Sequence, residues 1–110
     1  MKTKVLSLTS LIMFGFLTVV AENKIETFII KGGDCDECKM HIEKSALLVY
    51  GVSIADWDKE SKKLQVVFDD SKTNVDAIQK AIAEKGNDTP NHKAEDEAYD
   101  RLPQCCKYER

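Results

Sequence analysis

Two thiols stand three residues apart in Gly32-Gly33-Asp34-Cys35-Asp36-Glu37-Cys38, immediately before a helical pattern begins. Such a pair either grips one soft metal ion between its sulfurs or closes on itself as a disulfide. Ile42, Ala46 and Val49 follow at helical spacing, which sets Cys38 at the head of an apolar stripe and leaves Cys35 on the loop before it. Free backbone N–H groups at a helix start favour negative charge and so stabilise thiolates, the form that binds metal. With two ligands the site is open, which suits an ion that is passed on. Thiolate softness selects Cu(I), Zn(II) and heavier soft ions over Mg(II) or Ca(II). Asp34, Asp36 and Glu37 add carboxylates, which tilt the preference toward divalent ions. Asp36 and Glu37 read as first-turn residues favourable to the helix dipole. Asp34, beside a ligand, is a candidate further ligand.

A second pair, Cys105-Cys106, lies near the end. The eleven steps from Ala94 to Cys105 span up to about 35 Å if extended, enough to bring one or two more sulfurs to Cys35 and Cys38. The pair could instead form a second soft-metal site, dock a partner's thiols, close as a vicinal disulfide, or be an oxidised, inert tail. A bridge within either pair closes a loop too small to restrict the unfolded chain much. Closely spaced pairs are therefore better suited to ligation, with bonds between the pairs left open. His41, three residues after Cys38, reads as a surface histidine. His92 carries no signal, and Trp57 and the tyrosines read as packing residues.

These side chains need elements to position them. Lys24 to Lys31 alternates as a strand, with Phe28 and Ile30 opposite Ile25, Thr27 and Ile29, until Gly32-Gly33 breaks it. The helix after Asp36 ends at Tyr50-Gly51, with Gly51 a left-handed terminus. Val52 to Trp57 and Lys62 to Asp69 form two more strands around a turn at Asp58 to Ser61. Thr73-Asn74 opens a second helix, Thr73 and Asp76 having capping-box spacing. Its core stripe is Val75, Ile78, Ala81 and Ile82, and Gly86 stops it. The order predicts an α+β, ferredoxin-like βαββαβ sandwich, an antiparallel sheet with two helices on one face. Its fourth strand, Asn91 to Ala94, is weak, because Pro90 and polar neighbours allow an edge strand at best. Glu95 to Leu102 predicts a short helix turning Ala98, Tyr99 and Leu102 inward, ended by Pro103.

Lys2 and Lys4 followed by apolar Val5 to Ala21 read as a secretory signal peptide cut after Ala21, too short for the roughly 20 residues of a spanning helix. The expected divisions are 1–21 signal peptide, 22–94 metal domain and 95–110 tail. Cleavage places the protein in the periplasm or outside the cell with no stable membrane insertion; an uncleaved segment would anchor it. Losing both leader lysines takes the net charge from −3 to −5. That balance argues against nucleic acid or an anionic membrane as partner.

On these residues the chain resembles the heavy-metal-associated domain family, which includes copper chaperones, periplasmic mercury-binding proteins and domains of metal-pumping ATPases. The resemblance rests on Gly32, Cys35, Cys38, Ile42, Gly51-Val52, Leu64 to Phe68, Asp69-Asp70 and Val75 to Gly86, and covers about residues 24 to 86. Segments such as Ala55 to Asp58, Asp88-Thr89 and Tyr99 to Tyr108 look like a branch of small exported bacterial members. The resemblance implies a monomeric, non-enzymatic metal carrier, with a metal-bridged dimer as an alternative. Its ligands would be Cys35 and Cys38, Cu(I) the first candidate ion and Zn(II), Cd(II) or Hg(II) the alternatives. The implied partner is a metal-transporting or metal-binding protein with exposed thiols. Two departures stand out. Gly33 replaces the family's core-plugging Met, which predicts a more mobile loop, and Asn87 follows Gly86 where relatives carry Tyr, Lys or His beside the metal loop. The rival functions are a thiol–disulfide oxidoreductase using the same CxxC, and a sequestering module without a transfer partner. Against the oxidoreductase, no aromatic residue precedes Cys35, and acidic neighbours raise thiol pKa values.

Overall fold

The computed structural model describes residues 22–110; the expected leader, residues 1–21, lies outside them. Three strands, β1 (Asn23–Ile29), β2 (Val52–Trp57) and β3 (Lys63–Asp69), form an antiparallel sheet in the order β1-β3-β2. Helices α1 (Asp36–Leu47) and α2 (Val75–Glu84) follow β1 and β3, and a short α3 (Asp96–Asp100) precedes a 3-10 turn at Gln104–Cys106. The ferredoxin-like α+β expectation holds for this core.

Register explains where the core sits. Phe28 and Trp57 both pair with Leu64, while Glu26 and Ala55 pair with Val66. Alternation therefore gathers Leu64, Val66 and Phe68 of β3 with Trp57 and Ile30 on one buried face. Cys38, Ile42 and Ala46 of α1 and Ile78 and Ile82 of α2 close over it. The opposite face leaves Ile25, Ile29 and Ile54 exposed. Trp57 is fully buried, and its indole N–H donates to the Ile30 carbonyl at 3.1 Å. That bond pins the end of β1, where the cysteine loop begins. Gly51 is left-handed at φ 107°, as the sequence predicts after α1.

Two expectations are corrected. Asn91 to Ala94 forms no strand among the described residues. Thr89 instead closes a turn, its N–H and hydroxyl both donating to the His92 carbonyl. Proline at 90 removes a ladder donor, and one backbone bond, Lys31 N–H to Asp88 carbonyl at 3.1 Å, stands where the fourth strand would pair. Asn74, not Thr73, caps α2: its extended backbone lets Oδ1 accept from the Ala77 N–H at 2.8 Å. Asp76 pairs with His92 Nε2 at 2.9 Å.

Replacing Trp57 with Phe deletes the indole donor and strands the buried Ile30 carbonyl. The expected loss is about 1–3 kcal/mol in urea unfolding; an unchanged midpoint would show that this bond does not hold the strand end.

Candidate metal centre

Gly32 and Gly33 carry the chain from β1 to α1 along the top of the core, and both are buried. A Cβ on Gly32 would come within 2.9 Å of Ile42 Cδ1 and 3.1 Å of the Trp57 ring, so the loop lies against the tryptophan because it lacks a side chain there. Cys35 is the N-cap residue of α1, with extended backbone, and it makes no side-chain capping bond. Its sulfur thus stands uncommitted to capping at the positive end of the helix. Cys38, one turn in, is buried at 1 % exposure and heads the stripe of Ile42 and Ala46.

The tail folds back onto this loop. The Sγ atoms of Cys35, Cys38, Cys105 and Cys106 all lie within 4.8 Å of one another. Cys35 Sγ is 2.9 Å from Cys38 Sγ and 3.7 Å from Cys106 Sγ, and the Cys38 thiol is 3.4 Å from the Cys105 carbonyl. Cys35 and Cys105 are joined by a disulfide, while Cys38 and Cys106 are free, buried thiols. The bond thus runs between the pairs and not within the vicinal pair. Burial pushes the Cys106 thiol up to about 12, with adjacent Cys38 and the charge of Glu37 acting in the same direction.

The tail is fastened on both sides of its cysteines. The expected Glu95–Leu102 helix is shorter, ending at Asp100, but Ala98 within it and Leu102 just beyond it are buried, and Cys106 belongs to the core. The Tyr108 hydroxyl donates to the Gly86 carbonyl at 2.7 Å and accepts from the Asp88 N–H at 2.8 Å. Burial pushes this phenol up to about 12, so it keeps its proton. Tyr99 meets Tyr108 edge to face, ring centres 4.9 Å apart, and donates to the Tyr108 carbonyl at 2.6 Å. Arg110 reaches Asp88 at 2.8 Å and the Ala94 carbonyl at 2.6 Å. Burial raises the Asp88 carboxyl, but bonds from Arg110 and the Ala94 N–H outweigh it and hold the group below its ordinary value.

Gly33 lies directly against the tail. A Cβ there would collide with the Cys105 carbonyl oxygen and lie 2.9 Å from Cys106 Cα. The space that a side chain at position 33 would take is filled by the tail backbone. Asn87 is likewise buried, donating through Nδ2 to the Lys31 carbonyl at 2.8 Å. The remaining candidates point elsewhere. Asp34 is exposed and paired with Lys62 at 2.8 Å, which holds its carboxyl below the usual range. His41 Nε2 bonds to the Lys85 carbonyl at 2.9 Å. Sequence reasoning missed the anchoring set of Asp88, Tyr108 and Arg110. Their only local signal was aromatic and charged residues flanking Cys105-Cys106.

The heavy-metal-associated domain family matches residues 27–88, so both tail cysteines lie beyond the matched span. The mercuric transport protein periplasmic component of Pseudomonas aeruginosa is 35 % identical over 68 residues, 62 % of this chain and 75 % of that protein. The copper chaperone CopZ of Staphylococcus aureus is 33 % identical over 63 residues, 57 % of this chain and 93 % of that one. Among solved structures, oxidised MerP from Ralstonia metallidurans superposes with a TM-score of 0.58 at 32 % identity, covering 62 % of this chain and 94 % of that one.

Two predictions test the site as built. Protein isolated without reductant should show two alkylatable thiols, Cys38 and Cys106, and only after unfolding; four should appear after reduction, counted by mass spectrometry. Four on unfolding without reductant would exclude the Cys35–Cys105 bond. Because the Asp88 pKa is depressed on folding, its contribution is present above the ordinary carboxyl value and is lost as pH falls through the folded value. Stability measured from pH 7 downward should therefore decline below about pH 4, and Asp88→Asn should flatten that acid limb.

Proposed function

Since the chain belongs to the heavy-metal-associated domain family, we propose that it accepts one soft metal ion between Cys35 and Cys38 and hands it on by ligand exchange. The observation that carries this reading is the pair's position: two sulfurs 2.9 Å apart at the start of α1, one on a loop and one fixed in the core. A partner's thiolate can attack the ion from the loop side, displace Cys35, then displace Cys38, so that the ion is never free. Cu(I), content with two sulfurs, is the first candidate, with Zn(II), Cd(II) and Hg(II) as the alternatives. The likeness to both a copper chaperone and a mercuric transport protein supports the class of ion.

The partner is a metal-transporting or metal-binding protein with exposed thiols, and the protein works as a monomer without enzymatic activity. Likeness to a periplasmic component supports an exported location; no helix of the described residues is long and apolar enough to cross a membrane. A thiol–disulfide oxidoreductase would need an accessible attacking thiolate. After reduction the accessible candidates are half-buried Cys35 and exposed Cys105, and it is the gathering of four sulfurs within 4.8 Å of one another that favours the metal reading.

Titration of the reduced protein with Cu(I) against a competing chelator should give one tightly held ion, lost in Cys35→Ser and in Cys38→Ser. Rapid reduction of insulin by a protein that binds no soft metal would sink the proposal.

A further inference from the structure

Gly33 needs no special backbone: the left-handed glycines are Gly51 and Gly86. What a side chain at position 33 would strike is the tail, namely the Cys105 carbonyl and the Cys106 backbone. Glycine at this position therefore admits Cys105-Cys106 to the loop. The tail that enters carries two more sulfurs to within 4.8 Å of the first two and is tied down by Tyr99, Tyr108 and Arg110.

We propose that Cys35, Cys38, Cys105 and Cys106 form one closed four-thiolate site, with the tail as its ligand-bearing lid and Gly33 as the seat that lets it close. This rests on the metal reading above and deepens it. An ion with sulfur bonds of about 2.3 Å sets tetrahedral ligands roughly 3.8 Å apart, and the four sulfurs already lie within 4.8 Å of one another. Four thiolates in a tetrahedron suit a divalent d10 ion such as Zn(II) or Cd(II), with no open position. Lifting the tail leaves the two-sulfur loop, the form from which an ion is passed on. The lid thus separates holding from release.

The Cys35–Cys105 disulfide is the oxidised form of the same closed site. An external dithiol opens it: two electrons and two protons pass to Cys35 and Cys105, and the dithiol leaves as its own disulfide. The four thiols then release their protons to solvent as they bind the ion.

The test uses the reduced full chain and Cd(II), with sulfur number read by X-ray absorption and affinity by chelator competition. The wild type should show four sulfurs. Cys105→Ser/Cys106→Ser should lower that number to two and weaken binding by at least about 100-fold, because even outer-sphere losses cost about 10- to 100-fold. Gly33→Met keeps every cysteine yet should reproduce the loss by expelling the tail. Cys105→Ser alone alters an exposed residue, so its fall to three sulfurs guards against misfolding of the double variant. Wild-type sulfur number and affinity in the tail and Gly33 variants, with loss only in Cys35→Ser and Cys38→Ser, would overturn the lid and leave the two-cysteine carrier standing. Full binding in Cys35→Ser and Cys38→Ser would overturn both.

Discussion

The backbone of Cys105 lies where a side chain on residue 33 would sit, and the top of the molecule is arranged around that close approach. It requires glycine in the loop, brings four sulfurs together, and needs the tail pressed down from both sides. Leu102 and Cys106 are anchored in the core while Tyr108 and Arg110 hold the chain beyond them. Gly86 takes part too, since a Cβ there would lie 2.7 Å from the Ala98 carbonyl and 3.1 Å from Leu102. Two glycines far apart in sequence thus serve one packing event.

Beneath it, the sheet and helices supply a rigid floor. The loop rests on Trp57, which is bonded to Ile30 and receives a second tie through its own backbone, whose N–H donates to Glu43 at 2.8 Å. Lys39 spans Glu43, Asp56 and the Trp57 carbonyl, and the first two raise its pKa, so this link between α1 and β2 stays charged. Packing below and the docked tail above together set the positions of the four sulfurs.

The central strands, both long helices, the inward turn of α3 and the placement of Cys35 and Cys38 were legible because each depends on local period and on glycine stops. The capping of α2 was misread by one residue, since Thr73 and Asn74 are both competent and backbone geometry chooses Asn74. The weakness of the fourth strand is legible too, because Pro90 removes a ladder donor. What no periodicity could reveal was the docking of the tail. Gly33 looked like a missing plug, and only the three-dimensional path of Cys105 shows the plug arriving from 72 positions later in the chain. Long-range contacts of this kind leave composition unchanged and periodicity silent.

The absence of a fourth strand among the described residues also changes the rim of the sheet. Among the described residues β1 pairs only with β3, so one line of its amide and carbonyl groups faces outward. Such an edge is a template for another extended chain. Lys24 and Glu26 punctuate it, and the Lys31–Asp88 bond blocks its far end. Charge and a short stop thus do for association between molecules what a strand would have done by covering the edge.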